Sequence, residues 1–595
     1  FVLGGHAGPT GRPISLLSFL IDANNWPADS WPFKRTNLVI HLLTGATLGV
    51  LTALILRVLE FRQRDIRWIA LIATAIWLLH PFLVSTTLYI VQRMAQLATL
   101  FMFAGCALYL RGRLQLAENP RKAYILMSGA IGVFTLLAML SKENGILLPV
   151  LVGVLELTIV AGRKNALPAL NRYWAALFIV APTAVIALYL GKLAMSEDFF
   201  EIIAPRDFSL YERLLTQGRI LVDYLQHWYL PKLYTTGVFQ DHFIKSSGLL
   251  SPITTLISII FHALVIAAAF VKRRQYPLFA LAALFFYASH LVESTVVNLE
   301  LYFEHRNYAA AAFLFLPLVE LLYRKASPRA FLLVSIAVLA LLGSFTRYSS
   351  TVWQSLPSMI ESSALKEPTS ARAQSQFAKL LFAVGRHDRA LETIDRAIEI
   401  IPYDDPLLLI NRLYFLCSRN SLNVDVYQAS AQRIAQLRFD SRALKAYNVL
   451  AAEIVSGSCP NITLDLLESM WVQMLDLPEN GDPMSLRFSH IQYLIGYTRT
   501  HAGEPAAALD AFQKSLDSRP GASHAMAMAA LLASNDFGEQ ALVLAERALG
   551  QLRAEIAEDP KLMRKVNESD ILEFQDTVRN DLAARQDASI SGAAD

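Results

Sequence analysis

Polar side chains that could bind or activate a substrate gather at the ends of long apolar runs. Cations and imidazoles stand beside carboxylates or amides in five segments. These side chains are Arg12, Asn37 and His41; His80, Tyr89, Gln92 and Arg93; Lys142 and Glu143; Arg219 and Asp241; and Glu293, Glu304, His305, Arg306 and Tyr308. Such groups suit a phosphate-bearing lipid headgroup, and a carboxylate among them could act as general base on an acceptor hydroxyl.

The same residues allow a plainer interpretation. Lys142–Glu143 and Glu304–Arg306 could be structural ion pairs at helix ends, and a lone histidine such as His41 is more often a satisfied core residue than a catalytic one. No cluster has the ligand set of a metal site. A net charge of +3 is too small to indicate a nucleic-acid partner.

The elements that must position these residues are ten apolar runs long enough to cross, or nearly cross, a bilayer. The runs are 38–60, 68–79 (or 68–88), 94–110, 123–140, 145–160, 173–192, 249–270, 277–290, 307–323 and 330–345. Five of the short connections between them carry seventeen lysines and arginines, whereas the others offer only Arg93, Lys142 and Arg306. The positive-inside rule places the crowded connections inside, so the polar segments and the C-terminal half lie outside.

The predicted fold class is therefore all-α, with a polytopic transmembrane helical bundle followed by a soluble helical domain. The divisions are 1–37, an outer segment expected to follow a helix upstream of Phe1; 38–345, the membrane domain; 346–364, a linker; 365–585, the outer helical domain; and 586–595, a disordered tail. The outer loop 193–248 contains Leu210, Leu214, Leu221, Leu225 and Tyr229 at helical spacing. This amphipathic helix either lies on the outer leaflet or packs on the bundle.

The domain after residue 365 has an internal repeat. Ala378, Gly385, Ala390 and Pro402 have counterparts 118 positions later, in Gly496, Gly503, Ala508 and Pro520. Small residues at helix crossings with a closing proline are the tetratricopeptide (TPR) pattern, whose helix pairs stack into an α-solenoid. A degenerate unit follows with Ala541, Ala545 and Ala548, and residues 403–487 are repeat-like but lack signature residues.

Two of the three cysteines, Cys417 and Cys459, fall in the outer half of the chain. An oxidising compartment would let them form a disulfide. The alternative is a pair of buried free thiols. Cys106 lies in a predicted span, where packing explains it.

Several motifs, in this order, resemble the bacterial relatives of the transmembrane-and-TPR O-mannosyltransferases, which belong to the GT-C class of glycosyltransferases. They are RPISLLSF at 12–19, NLVIHLL at 37–43, HPFLVSTTLYIVQRMAQLATLF at 80–101, SKENGILLP at 141–149 and FEHRNY at 303–308. The resemblance implies a multi-pass enzyme of the bacterial inner membrane with its TPR domain in the periplasm. It would transfer a sugar from a polyprenyl-phosphate donor to a protein or glycan acceptor.

The resemblance also implies roles for individual residues. Arg93, Lys142 and Arg306 would contact the donor phosphate, with Arg219 a weaker contact. The usual base of this class is an acid in the first outer loop. Because neither Asp22 nor Asp29 has that context, we expect the base upstream of Phe1, with Glu143 and Glu304 as weak candidates. Nothing in the sequence suggests a metal, nucleotide or redox cofactor, although a divalent metal helps some members of the class.

Two other functions fit the same features. The first is a non-enzymatic scaffold whose TPR domain assembles a pilus, secretion or polysaccharide machine. The second is an O-antigen ligase or polymerase, which also places histidine and arginine in a large outer loop. In each case the TPR domain is expected to bind a protein, either an acceptor or a partner.

Overall fold

The structure, a computed structural model, describes residues 8, 10–23, 27–195, 208–233, 238–241, 243–558 and 564–592, with side chains described up to residue 585. The predicted all-α class is confirmed, because 76% of the chain is helical and the described residues contain no strand. The chain divides into two compact units. The first holds the described residues up to Ser363 and the second those from Ala364 onward.

The first unit is built from fifteen helices within the described residues. They are α1 Pro13–Leu20, α2 Ser30–Val58, α3 Gln63–Leu78, α4 Val84–Leu88, α5 Arg93–Gln115, α6 Pro120–Ser141, α7 Leu148–Leu155, α8 Arg172–Ala175, α9 Ala181–Ala194, α10 Leu210–Tyr229, α11 Thr254–Lys272, α12 Pro277–His290, α13 Asn307–Ala310, α14 Leu316–Lys325 and α15 Pro328–Val352. A π-turn at Glu156–Val160 extends α7, and another at Ala176–Val180 joins α8 to α9.

The boundary between the units falls within α16, and twelve further helices follow it. Helix α16 is Leu356–Lys366, and the twelve that follow are α17 Ala371–Ala383, α18 His387–Ile400, α19 Pro406–Ser418, α20 Val424–Ala435, α21 Leu444–Val455, α22 Leu464–Met474, α23 Pro478–Gly481, α24 Leu486–His501, α25 Pro505–Ser518, α26 Ala522–Ala533, α27 Gly538–Glu558 and α28 Glu568–Gly592.

Among the described residues, seven helices of the first unit are long and apolar enough to cross a membrane. The bent pair Gln63–Leu78 and Pro81–Leu88, with an angle of 54°, brings the number to eight. Seven of the ten predicted runs match single helices, and the predicted run at 68–88 matches the bent pair. The structural helices are longer at most ends, because several of their polar flanks are also helical.

Two predicted spans differ from the structure. The run 277–290 is a helix of only 14 residues, and the run 307–323 is broken into α13 and α14 by turns at 311–315. Pro317 stands in the first turn of α14, where it has no N–H to continue an earlier helix. Residues 307–314 are all buried. Their apolar character therefore reflects packing inside the unit, which hydropathy does not distinguish from exposure to lipid.

Connections that were predicted on the same side of the membrane contact each other. On the arginine-rich side, Arg163 Nη2 lies 3.0 Å from Glu60 Oε1. On the opposite side, Ser15 Oγ donates to the Ser141 carbonyl at 2.8 Å. The up-and-down order of the helices is thus consistent with the alternation of charge in their connections.

The amphipathic helix of the long outer loop is α10, and it packs on the bundle. The leucine series borders its buried side: Leu210 is buried and Leu221 and Leu225 pack against the core, whereas Leu214 and Tyr229 are exposed. The centre of the buried side is formed by residues such as Arg213, Tyr224 and Trp228. The Arg213 guanidinium donates to the carbonyls of residues 293, 295, 299 and 300. Backbone carbonyls therefore replace water around this buried cation.

The predicted linker and tail are both more ordered than expected. Most of residues 346–364 continue α15 or belong to α16. The tail beginning at residue 586 is helical up to Gly592, because α28 continues through it. The composition of the tail suggested disorder, but composition does not show that a preceding helix continues through it.

The described residues of the second unit contain five helix–turn–helix pairs, with the short helix α23 between the third and the fourth. They are α17/α18, α19/α20, α21/α22, α24/α25 and α26/α27, and a residue with positive φ follows the first helix of each: Gly385, Asn420, Gly457, Gly503 and Asp536. Glycine, asparagine and aspartate tolerate this left-handed conformation best. The helices His387–Ile400 and Pro505–Ser518 are displaced by the predicted 118 positions, so the repeat is present in the structure.

Residues 403–487, which lack TPR signature residues, form two of these pairs. Cys417 in α19 and Cys459 after α21 are joined in a disulfide, with Cα atoms 5.1 Å apart. This separation lies within the usual range for a disulfide. The bridge connects the second pair to the third.

Candidate functional site

Polar residues from distant parts of the sequence meet at one end of the first unit. We call the following six the polar cluster: Arg12, Lys142, Glu143, Glu293, His305 and Arg306. Arg12 precedes α1, Lys142 and Glu143 follow α6, and Glu293 follows α12. His305 and Arg306 occupy the 3-10 turn Glu304–Arg306. All six were predicted site residues, and the structure brings them together.

The turn that carries Lys142 and Glu143 depends on Gly145. A Cβ atom at this position would lie 2.3 Å from the backbone carbon of Ala138, so only glycine lets the turn fold back against α6. The Lys142 backbone is extended and its N–H donates to Ala138. The next helix, α7, then starts with Pro149 in its first turn. The sequence SKENGILLP thus reverses the chain and presents two charged residues together.

Lys142 pairs with Glu293, and Nζ lies 2.5 Å from Oε1. Asn144 Nδ2 also donates to Glu293 Oε2 at 3.3 Å. Burial is the largest effect and opposes ionisation of Glu293, but the surrounding positive charge, to which Lys142 contributes most, outweighs it and holds the pKa of this carboxyl at about 2. Glu293 is therefore ionised at neutral pH, where its ion pair with Lys142 can form. This pair replaces the predicted pairing of Lys142 with Glu143.

Arg12 and Glu143 form the most accessible part of the polar cluster. Arg12 Nη2 lies 2.7 Å from Glu143 Oε2, and Nε donates to both carboxylate oxygens at 3.0 Å. Each side chain keeps 24% of its surface exposed. Thr10 Oγ1 donates a further bond to Glu143 at 3.2 Å. An ion pair at this exposure can exchange one partner for a ligand without leaving a buried charge.

His305 is an uncharged imidazole beside these pairs. Burial lowers the pKa of His305 well below its usual value, and Lys142 lowers it further. The negative charge of Glu293 opposes this effect without cancelling it. The ring stacks on Phe303 with centroids 5.0 Å apart and remains partly exposed. A neutral imidazole at this position can accept or donate a hydrogen bond.

Arg306 is held mainly by backbone carbonyls. Its Nη1 donates to Leu301 at 2.7 Å and its Nη2 to Glu300 at 2.5 Å, while its buried Nε has no hydrogen-bond acceptor among the described residues. Glu304 is also buried, and Gln240 Nε2 donates to it at 3.2 Å. The predicted Glu304–Arg306 ion pair does not form.

Arg93 was predicted to contact the donor phosphate, but in the structure it is buried and bound by groups of its own chain. Its side chain has no exposed surface, and Nη2 lies 2.5 Å from Asp22 Oδ2. Nε donates to Asn37 Oδ1 at 2.7 Å, and the remaining bonds go to the carbonyls of Ser18 and Phe33. A guanidinium satisfied in this way fixes the first outer segment against the helices. Asn37 and Asp22 likewise serve this structural contact.

His41, His80 and Tyr308 lie in the core, apart from the polar cluster. His41 Nδ1 is 2.8 Å from the Tyr308 hydroxyl, and both rings pack on Trp77. His80 Nε2 is 3.0 Å from the Trp228 carbonyl. Both histidines are satisfied core residues, which is the alternative that the sequence left open for His41.

The remaining predicted residues lie at the surface or in the long outer loop. Arg219 Nη1 donates to the Ile244 carbonyl at 2.8 Å, and the guanidinium lies over the ring of Phe243. Tyr89 is exposed and its ring centroid is 6.0 Å from that of Trp353. Gln92 and Asp241 are partly exposed. The roles assigned to these residues from the sequence therefore stay predictions.

Sequence reasoning missed a contact in which Asp223 and His227 of α10 meet Tyr302. Asp223 Oδ2 accepts a bond from the Tyr302 hydroxyl at 2.7 Å and lies 3.2 Å from His227 Nδ1. Burial opposes protonation of His227, but the hydrogen bond and charge of Asp223 outweigh it and raise the pKa of the imidazole. The available signal was the i, i+4 spacing of Asp223 and His227 on a helix.

The polar cluster could bind an anion and accept a proton. Arg12 offers an accessible guanidinium, and Glu143 a carboxylate that is ionised while Arg12 is its partner. Within the part of the chain that the structure describes, no group of three or more potential metal-ligating side chains is present. The charged and imidazole side chains of the polar cluster offer ionic and acid–base chemistry.

Comparisons with known proteins add little. No protein-family model matches the chain, and no curated protein sequence matches it. Among solved structures, the crystal structure of the APC/C hetero-tetramer Cut9-Hcn1 matches at 12% identity with a TM-score of 0.22. That match covers 81% of this chain and 93% of the other. A TM-score this low carries no argument about fold or function.

Proposed function

We propose that the chain is an integral-membrane glycosyltransferase that moves a sugar from a polyprenyl-phosphate donor to a protein or glycan acceptor. The observation that supports it is the convergence of Arg12, Lys142, Glu143, Glu293 and His305 at the ends of apolar helices. A headgroup of a lipid embedded beside those helices would reach this position. The motifs that resemble the GT-C class contain four of these residues, Arg12, Lys142, Glu143 and His305, but not Glu293.

The proposed reaction uses the Arg12–Glu143 pair. Arg12 exchanges Glu143 for the donor phosphate, with Lys142 and Arg306 adding positive charge behind it. The released Glu143 carboxylate accepts the proton of an acceptor hydroxyl. The hydroxyl oxygen bonds to the anomeric carbon as the bond from that carbon to the phosphate oxygen breaks, and the polyprenyl phosphate leaves with the electron pair.

The proposed setting is a bacterial inner membrane, crossed several times, with the second unit in the periplasm. The alternation of charge between connections supports this orientation. A disulfide in the second unit suits an oxidising compartment. The helix pairs would form a TPR-like solenoid that binds the acceptor or a partner protein.

Binding of polyprenyl phosphate to the purified protein in nanodiscs tests the proposal. We expect Arg12→Gln to weaken binding about 10-fold, because one charge-assisted phosphate contact is lost. Arg163→Gln is the matched control, since Arg163 pairs with Glu60 at a similar exposure on the opposite side. Equal binding by the parent and both variants would remove the polar cluster from the donor site. Transfer from a polyprenyl-phosphate sugar should also be lost in Glu143→Gln.

A non-enzymatic scaffold is the second candidate. Three predicted phosphate contacts, Arg93, Lys142 and Arg306, already have partners within the chain. If the chain is a scaffold, the cations hold the outer segments in place, and the second unit performs the function by binding partner proteins. Failure of the parent protein to bind polyprenyl phosphate would favour it.

A further inference from the structure

One pocket of the second unit lies on the first helices of three successive pairs. Asn448 belongs to α21, His490 and Tyr493 to α24, and His524 and Met528 to α26. Arg519, directly after α25, completes these six lining residues, and the cavity measures about 270 Å³. We call it the His490 pocket. First helices of stacked pairs form one continuous face, which helical repeat proteins use for binding.

The spacing of the lining residues explains why they share this face. Tyr493 follows His490 by three positions, and Met528 follows His524 by four, so each pair occupies one side of its helix. Behind them, Ser489 and Ser515 donate hydroxyl bonds to each other's carbonyls, at 2.9 and 2.8 Å. These bonds join α24 to α25 and fix the position of Arg519 relative to His490.

Arg519 has no carboxylate partner within the described residues. Its nearest polar contact is between Nη1 and His490 Nε2, at 3.5 Å. By contrast, Arg499 and Arg547, on the neighbouring helices, pair with Glu468 and Asp517 at 2.7 and 2.6 Å. The side chains lining the pocket include no acid. The charge of Arg519 therefore has no acid opposite it among the side chains that line the pocket.

His490 contributes a second unused group. Its ring stacks on Phe439, and its Nδ1 is buried with no hydrogen-bond partner in the described structure. If Nε2 faces the Arg519 guanidinium as an acceptor, Nδ1 carries the ring proton and is a donor. A buried donor without a partner is costly, and a bound acceptor would remove this cost.

We propose that the His490 pocket binds a carboxylate that is attached to an apolar group, as at the end of a polypeptide. Arg519 forms the ion pair, His490 and Asn448 add hydrogen bonds, and Tyr493 and Met528 contact the apolar part. A volume of about 270 Å³ accommodates roughly one residue. A C-terminal carboxylate and an acidic side chain present the same chemistry, and the experiment distinguishes them.

This inference gives a chemical identity to the partner-binding role proposed for the second unit and rests on that role alone. Its test measures binding without any donor lipid. Failure therefore leaves the glycosyltransferase proposal standing, and failure of donor binding leaves the His490 pocket untouched.

The test uses the full-length protein in nanodiscs and fluorescein-labelled tetrapeptides that end in leucine. One peptide has a free C-terminal carboxylate, a second has a C-terminal amide, and a third has the amide with aspartate before the leucine. Binding is followed by fluorescence anisotropy. We expect the amide without aspartate to bind at least about 10-fold more weakly than one of the two carboxylates. Whichever carboxylate binds more tightly identifies the source.

Two variants make the result specific. Arg519→Gln removes the ion pair, and Asn448→Asp places a negative charge in the pocket with almost no change in shape. Both should weaken carboxylate binding about 10-fold or more. Arg579→Gln removes the same charge from an exposed site and should leave binding unchanged.

Several results would overturn the proposal. The amide peptide could bind as tightly as both carboxylate peptides, or both pocket variants could bind the carboxylate peptides normally. The protein could also prefer phenyl phosphate to the carboxylate peptides, or bind no peptide up to about 1 mM. Asn448 is exposed, so its variant keeps the test valid even if Arg519→Gln does not fold.

Discussion

Lys142 Nζ lies 2.5 Å from Glu293 Oε1, and both side chains are almost completely buried. This pair joins the turn after α6 to the segment after α12. It therefore holds two walls of the polar cluster together and leaves Arg12 and Glu143 as the exchangeable pair.

Breaking this pair from one side should be strongly destabilising. Glu293→Gln leaves the Lys142 ammonium buried without a countercharge, and Lys142→Met leaves the carboxylate in the same state. We expect each to cost about 3–5 kcal/mol, and the double variant to cost clearly less than the sum. Thermal unfolding in detergent measures the stability of the parent, the two single variants and the double variant. If the two single losses simply add in the double variant, Lys142 and Glu293 are not energetically coupled. Arg163→Gln, which breaks an ion pair near the surface, should cost no more than about 1 kcal/mol.

Arg93→Lys should lower the yield of folded protein. A lysine carries the charge but cannot reach Asp22, Asn37 and two carbonyls with one planar group. The measurement is the monodisperse fraction in size-exclusion chromatography. A variant that folds normally but fails to bind polyprenyl phosphate would instead restore Arg93 as a donor contact.

The disulfide predicts a definite thiol count. Denatured protein that was isolated without a reductant should react with one equivalent of maleimide before reduction, at Cys106, and with three after it. Mass spectrometry reads both values. Three reactive thiols before reduction would place the second unit in a reducing compartment.

The left-handed turns give opposite expectations for two glycines. Gly385 has φ +78°, so Gly385→Ala should destabilise the second unit by about 1 kcal/mol. Gly550 lies in the exposed middle of α27 with open space around it, and Gly550→Ala should stabilise by about 0.5–1 kcal/mol. Pulse proteolysis in urea compares them. The same sign for both would refute the turn assignment.

The second unit should lose stability in mild acid. Burial, with Arg519 and His524 adding positive charge, lowers the pKa of His490 to about 4. The unfolded chain therefore binds a proton at higher pH than the folded one, and stability falls as the pH drops from about 6.5 towards 4. We expect a loss of up to about 2 kcal/mol between pH 7.5 and 5, and a smaller loss in His490→Gln. Identical pH profiles for the two proteins would contradict this.

The sequence was sufficient for most of the architecture. Apolar length located eight of the predicted spans, and the 118-residue offset located two helix pairs. Asn420 and Asp536, which occupy the same left-handed turn as Gly385, show why the other pairs were harder to see. The turn requires a backbone conformation, and several residue types supply it.

The six members of the polar cluster were among the polar residues that the sequence singled out, but their pairing was not predictable. Arg12, Lys142 and Glu293 were identified by type and position, yet hydrogen-bond partners depend on how distant segments approach. Arg93 shows the limit of this reasoning, because a lone outer cation looks the same in sequence whether it binds a ligand or four groups of its own chain. His227 and Asp223 were overlooked because the leucines of α10 mark only the border of its buried side.

The bridge between Cys417 and Cys459 has a mechanical consequence. In an array of repeats, each pair holds only its neighbours, so separation under load begins at the weakest junction and spreads. The disulfide holds the second and third pairs together covalently, so their junction cannot be the one that separates first. A pull on the second unit would therefore open it elsewhere, and the chain between the two cysteines would contribute no extension until the sulfurs were reduced.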